Sequence, residues 1–148
     1  MSLKEQLTND MKEAMKAHEK DRLAVIRMVR GAIRQQEIDG KKELNDDDVI
    51  AVISKEVKMR KDSIEEFTKG GRDDLVTKTQ AEIEILLPYL PQQLSEAEIR
   101  ELVEAAVAKT GATTQKDMGK VMGVLMPQVK GRADGKLVNT IVRSFLQG

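Results

Sequence analysis

Cationic side chains gather near the carboxyl end of this 148-residue chain, and they offer its clearest chemistry. Residues 105–148 hold seven lysines and arginines against two aspartates, an excess of five positive charges. The whole chain has 25 cationic and 25 acidic residues, so the first 104 residues carry an excess of five negative charges. A basic end on a neutral chain is typical of proteins that bind polyanions. The alternative is that these side chains only solvate a surface.

A short basic segment and the helix that follows it supply the candidate binding residues. The predicted loop Lys130–Lys136 reads KGRADGK, and its glycines expose backbone amides. In the next helix Lys136, Asn139 and Arg143 are spaced i, i+3 and i+7, so they share one face. Cations at such spacing can follow a phosphate chain, and an amide can read a polar group. The predicted nucleic-acid-binding residues are therefore Lys130, Arg132, Lys136, Asn139 and Arg143.

The opposite face of the same helix is predicted to be its core face. We assign Leu137, Val138, Ile141, Val142 and Phe145 to the inward side of this helix. With Phe145 turned inward, no aromatic ring remains on which single-stranded bases could stack. This favours recognition of a folded RNA by its shape and backbone.

Two glycines shape the helix before the loop. Gly119 and Gly123 stand four residues apart and therefore lie on one side of a helix. Glycine inside a helix is destabilising by about 1 kcal/mol, so two of them need a reason. Close helix–helix packing is the favoured explanation. The functional alternative is a flat place for a nucleic acid, shaped by Gly119, Gly123 and Gly131.

Catalytic chemistry finds little support in the residues. Cysteine is absent, and His18 is the one histidine, which excludes thiol nucleophiles and multi-histidine zinc sites. Glu82 and Glu84 are two residues apart, so they point to different sides of a helix. The segment Gly131–Lys136 reads GxxxGK, one residue short of a phosphate-binding loop and without a preceding strand. We expect no catalytic residues, no metal and no cofactor.

An arginine row on the second predicted helix allows two interpretations. Arg27, Arg30 and Arg34 are spaced i, i+3 and i+7 and share a face. They could face phosphates, or they could form ion pairs with nearby acidic helices. The acidic excess of this part of the chain favours the ion pairs.

Apolar residues recur at helical spacing along the whole chain, and no alternating strand pattern is found. The sequence therefore predicts an all-α fold, with about four helices in an N-terminal domain and a C-terminal three-helix bundle. The segment Leu87–Pro91 contains two prolines and marks the boundary between domains 1–91 and 92–148. The predicted helices span residues 2–18, 20–38, 46–68, 73–87, 95–111, 114–126 and 134–146.

The sequence also predicts where the chain resides. No run approaches 18 apolar residues, so we expect no membrane contact. The first 20 residues lack an apolar stretch of signal-peptide length. We therefore expect a cytoplasmic protein.

The stretch Met118–Leu146 resembles the tail domain of the B subunit of the glutamine-dependent aspartyl/glutamyl-tRNA amidotransferase. The whole chain is similar to stand-alone proteins of the GatB/YqeY family. One position departs from the tail pattern, because Asp134-Gly135 replaces the usual Asn-Pro and should soften the start of the last helix. The residues in register are Gly123, Met126, Lys130-Gly131-Arg132-Ala133 and Leu137-Val138-Asn139, with Met11–Lys16, Arg60–Ile64 and Tyr89–Pro91 in the N-terminal half.

The resemblance implies an all-helical protein with tRNA as its ligand. It brings no active site, because the catalytic parts of the amidotransferase lie elsewhere in that complex. The label of a carbon–nitrogen ligase with glutamine as amido donor would thus be inherited from the complex. We predict a tRNA-binding accessory protein related to that amidotransferase, acting in translation. An enzyme of another type has the least support.

A protein–protein adaptor is the alternative function. Its partner would be an aminoacyl-tRNA synthetase or an amidotransferase. Met118, Met122 and Met126 could dock this partner together with the arginine row, although the simpler interpretation places the methionines in the core.

Overall fold

The computed structural model describes residues 1–147 of the chain. Within this range the chain is all-helical and has no strand, which confirms the predicted fold class. Two single 3₁₀ turns, Leu87–Tyr89 and Gln115–Asp117, connect the longer elements. Seven α-helices are described: α1 Leu3–Lys16, α2 Lys20–Gly40, α3 Asp46–Lys69, α4 Asp73–Leu86, α5 Glu96–Thr110, α6 Met118–Val129 and α7 Gly135–Leu146.

The described residues form two compact units, Met1–Leu90 and a second unit that begins at Pro91. The first unit is built from α1 to α4, whose apolar stripes meet in one core. Asn45 and Asp48 form a reciprocal capping box that starts α3. Tyr89 closes the unit, since its ring is buried and its hydroxyl donates to the carboxylate of Asp10. Fully buried side chains of this core include Leu7, Ile26, Val29, Val49, Ile53 and Leu86.

A buried ion pair fixes α3 against α4. Arg60 is only 7% exposed. Its guanidinium donates to Glu56 at 2.8 Å and to Glu82 on α4 at 3.2 Å. Arg60 thus belongs to the packing of this unit.

The second unit packs α5, α6 and α7 around its own core. Ser95 and Glu98 form the capping box that starts α5, as their spacing indicates. Gly111 ends this helix with a φ of 67°, a left-handed conformation that glycine adopts without strain. The core of the unit consists of Ile99, Val103, Ala106, Val121, Leu125, Val129, Val138, Ile141, Val142 and Leu146.

The predicted helix 114–126 differs from the structure at both ends. Its first residues form the 3₁₀ turn Gln115–Asp117, and α6 begins at Met118. We expected α6 to stop at Met126, before Pro127, but the helix continues through the proline to Val129. Pro127 lies in the last turn and removes a single N–H donor, the one that the carbonyl of Gly123 would accept. Gly123 is exposed, so water can replace that donor.

Among residues 1–147, no helix combines the length and the apolar character that a bilayer crossing requires.

Candidate nucleic-acid interface

The basic loop leads from the end of α6 to the start of α7. Gly131 has a φ of 74°, so the turn uses a left-handed conformation that other residues rarely adopt. Asp134 then accepts the backbone N–H of Lys136 at 3.0 Å and caps α7. The start of α7 is therefore held by a side-chain cap from Asp134.

The segment before α5 fixes this loop through three hydrogen bonds. The backbone N–H of Leu94 donates to the carbonyl of Arg132 at 2.8 Å. The side-chain amide of Gln93 donates to the carbonyl of Gly131 at 2.8 Å. Arg132 in turn donates from Nε to the carbonyl of Gln92 at 3.1 Å. The backbone of the loop is thus held in one conformation by residues 92–94. Sequence reasoning missed Gln92 and Gln93, because no pattern distinguishes two glutamines in a linker.

We call the predicted contact residues Lys130, Arg132, Lys136, Asn139 and Arg143 the cationic surface. Lys130, Lys136 and Arg143 are exposed, whereas Arg132 is half-buried against residue 92. Within residues 1–147, none of the four cations forms an ion pair. No carboxylate of the described chain therefore lies within ion-pair distance of these four charged groups.

Two carboxylates of the second unit act as helix caps. The pKa of Glu98 is lowered mainly because the backbone N–H of Ser95 donates to it, with a smaller contribution from the charge of Arg132. The pKa of Asp117 is lowered mainly by the backbone N–H groups of Thr113 and Thr114. Both carboxylates therefore stay ionised through backbone donors, and they do not pair with the cations of the surface.

One side of α6 is open. Gly119 and Gly123 are exposed, and a Cβ atom added to either would meet nothing within 4 Å. The favoured explanation, close helix–helix packing, is therefore wrong for the described chain. Met126 and Lys130 follow at i+7 and i+11 from Gly119, so helical spacing places them on the same side. The glycines form an exposed strip that runs toward the basic loop.

The predicted core face of α7 is partly wrong. Ile141 is buried, but Leu137 is 37% exposed and Phe145 is 38% exposed. Val138 and Val142 are buried as predicted, whereas Leu146 rather than Phe145 takes the buried position in the last turn. An aromatic ring is therefore accessible on α7, contrary to the expectation that none remains for stacking.

The methionines of α6 divide into two groups. Met118 and Met122 are half-buried and pack against the core of this unit, which confirms the core interpretation for these two. Met126 is 43% exposed, so the core interpretation is wrong for this methionine. Across residues 1–147, no group of three or more carboxylates and histidines is arranged to hold a metal ion.

Comparison with known proteins gives a family and several relatives. The family described as "Yqey-like protein" matches residues 4–146. A relative from Pyrenophora tritici-repentis, "Altered inheritance of mitochondria protein 41, mitochondrial", is 35% identical over 129 residues, which are 86% of this chain and 71% of the relative. Its namesake from Saccharomyces cerevisiae is 31% identical over 149 residues, covering 94% of this chain and 80% of the relative. The namesake from Lachancea thermotolerans is 44% identical over 96 residues, which cover 63% of this chain and 51% of the relative.

These names contradict the predicted cytoplasmic location. All three relatives are named as mitochondrial proteins. The expectation was wrong because it relied on the lack of an apolar signal-peptide stretch. Such a stretch marks secretion, whereas mitochondrial transit peptides are amphipathic and arginine-rich, so its absence says nothing about import into that organelle.

Proposed function

The chain belongs to the family of YqeY-like proteins, and from this premise we propose that it is a tRNA-binding accessory protein without an active site of its own. Its ligand contacts are the four cations of the cationic surface, with Asn139 as a polar contact. The exposed strip of Gly119 and Gly123 lets the RNA backbone approach α6 closely. Gly131 shapes the loop that carries the first two cations.

One observation carries this proposal. Four cationic side chains lie on a hydrogen-bonded loop and the adjoining helix, and none is paired with a carboxylate of the described chain. Because hydrogen bonds already fix the loop backbone, binding does not have to order that backbone. A folded RNA supplies the matching array of phosphates, which proteins contact largely by shape and backbone.

Filter binding with bulk tRNA tests the proposal. Neutralising about four phosphates predicts a logarithmic salt slope of about −3 to −4. The triple variant Lys130→Ala/Arg132→Ala/Lys136→Ala should reduce the slope by about 2 to 3 and weaken binding at every salt concentration. Because the curated relatives are named as mitochondrial proteins, the RNA pool should include mitochondrial tRNA.

A matched variant controls for charge. Lys12→Ala/Lys16→Ala/Lys20→Ala also removes three exposed lysine charges, but from α1 and the start of α2. It should leave the tRNA affinity and the salt slope close to those of the parent protein. Equal losses in the two triple variants would show that only net charge matters, and the assigned surface would be wrong.

The alternative function is an adaptor for an aminoacyl-tRNA synthetase or an amidotransferase. The observation that favours it is the exposure of three large apolar side chains in the second unit, Met126, Leu137 and Phe145. Exposed apolar residues of this size are typical of protein-binding surfaces when they cluster. A complex with a purified synthetase or amidotransferase that survives nuclease, and that Leu137→Lys/Phe145→Lys abolishes, would favour the adaptor.

A further inference from the structure

A cavity of about 390 Å³ lies between α1 and α2 of the first unit, far along the sequence from the cationic surface. Its volume falls within the range of about 300–1,000 Å³ that small-molecule sites occupy. Leu7 and Ile33 supply apolar lining, and both belong to the core of the unit. The charged lining residues are Lys4, Arg27, Arg30, Arg34 and Glu37.

The arginines of this cavity do not form the ion pairs that the sequence suggested. We expected Arg27, Arg30 and Arg34 to form ion pairs with acidic helices, and within residues 1–147 none of them does. Arg30 instead donates from Nη1 to the sulfur of Met11 at 2.9 Å. A thioether is a weak acceptor and carries no charge, so it does not neutralise a guanidinium.

The remaining two charges of the cavity cancel each other. Lys4 forms an ion pair with Glu37, whose carboxylate also accepts the backbone N–H of Leu44. The pKa of Glu37 is lowered, chiefly by the hydrogen bond from Lys4. This carboxylate is therefore ionised and occupied at neutral pH, and the cavity keeps the positive charge of its three arginines.

A glycine lies among the arginines. Gly31 is four residues after Arg27 and three before Arg34, so helical spacing places it on the same side of α2. A Cβ atom at Gly31 would meet nothing within 4 Å, and its φ lies outside the left-handed region. Neither close packing nor backbone conformation therefore explains a residue that weakens a helix interior. Its missing side chain instead leaves room in the cavity that it lines.

We propose that this cavity binds the phosphate group of a phosphorylated ligand. Guanidinium groups bind phosphate through two parallel hydrogen bonds, and three of them around one cavity suit a group with two or more negative charges. The space that Gly31 leaves open receives the organic part next to the phosphate. The shared chemistry admits two sources, a free nucleotide or a phosphate of an RNA chain. The site does not depend on the function proposed for the cationic surface.

Calorimetric titration with pyrophosphate and with adenosine diphosphate tests the site. Arg27→Gln/Arg34→Gln should weaken binding of both probes by roughly tenfold or more, because two charge-assisted contacts are lost. The control Lys58→Gln/Lys61→Gln removes the same charge from exposed positions of α3 in the same unit and should change affinity by less than about twofold. Gly31→Leu should abolish binding of adenosine diphosphate without altering charge, with folding verified by circular dichroism.

The results of these titrations distinguish a free nucleotide from a phosphate of an RNA chain, and they can also refute the proposed site. Binding of adenosine diphosphate that Arg27→Gln/Arg34→Gln removes assigns the site to a free nucleotide. If instead the same variant weakens tRNA binding and neither small probe binds, the phosphate comes from RNA. The triple alanine variant of Lys130, Arg132 and Lys136 should keep pyrophosphate binding, so failure of the cationic surface does not affect this test. The proposal is overturned if Arg27→Gln/Arg34→Gln binds pyrophosphate, nucleotide and tRNA with the same affinities as the control Lys58→Gln/Lys61→Gln.

Discussion

Replacing the two exposed glycines of α6 by alanine should strengthen the fold and weaken RNA binding at the same time. Gly119 and Gly123 lie inside a helix, and a Cβ atom at either meets nothing within 4 Å. Alanine therefore introduces no clash, and it reduces the conformational entropy of the unfolded chain. At Gly123, in the interior of the helix, alanine should raise the free energy of unfolding by about 0.5–1 kcal/mol. Gly119 is the second residue of α6 and should contribute less, so the double variant gains about 1 kcal/mol.

The same two methyl groups would stand on the strip where we propose that an RNA backbone approaches. We expect the double variant to bind tRNA more weakly than the parent protein, although it is more stable and has the same charge. Urea denaturation followed by circular dichroism measures the first effect, and filter binding measures the second. Gly31→Ala supplies the stability benchmark, because that glycine is also helical, exposed and free of close neighbours.

Two results would refute this reasoning. A double variant less stable than the parent would mean that the strip is covered in solution. A stabilised variant with unchanged tRNA affinity would mean that the RNA does not approach α6, and the shaping role of the glycines would have to be abandoned.

Three further predictions concern the groups that hold each unit together. Arg60→Met leaves two carboxylates without their buried cation and should lower the free energy of unfolding by about 3 kcal/mol in urea denaturation, while a loss below 1 kcal/mol would argue against a buried ion pair. Gln93→Ala removes the side-chain hydrogen bond to Gly131 and should cost about 1 kcal/mol of stability; tRNA affinity should fall as well, and unchanged affinity would show that this bond does not order the loop. The pKa of Glu98 is lowered in the folded protein, so the ionised carboxylate contributes to the free energy of unfolding. This contribution is complete above the ordinary glutamate pKa of about 4.3, and it is lost as the pH falls through the folded-state pKa. The difference in urea midpoint between the parent and Glu98→Gln should therefore shrink on acidification, whereas a constant difference from neutral to acidic pH would contradict the assigned cause.

The helices could be predicted because their signals are local. Capping residues such as Asn45 and Ser95 precede apolar stripes of helical period, and both caps form as predicted. The end of α6 could not be predicted, because a proline in the last turn removes one bond and leaves the rest of the helix intact. Whether the helix ends there depends on how that one bond is replaced, which the spacing of residues does not show.

The candidate site could be predicted only as a set of residues. Spacing placed Lys136 and Arg143 on one exposed face of α7, but it gave no indication that Gln93 fastens the loop, since that bond joins residues 38 apart. Spacing also assigned Phe145 to the core, because periodicity identifies a stripe and does not show which of its residues is covered at a helix end. The ionic partners of Arg27 were wrongly predicted for the same reason: net charge of a region does not determine which side chains meet.

The most direct test of the central claim is a titration of total tRNA into labelled protein at two salt concentrations. We expect binding whose affinity falls with salt at a logarithmic slope of about −3 to −4, and a clearly smaller slope in Lys130→Ala/Arg132→Ala/Lys136→Ala. An absence of tRNA binding at low salt, or a slope that this triple variant leaves unchanged, would contradict the central claim.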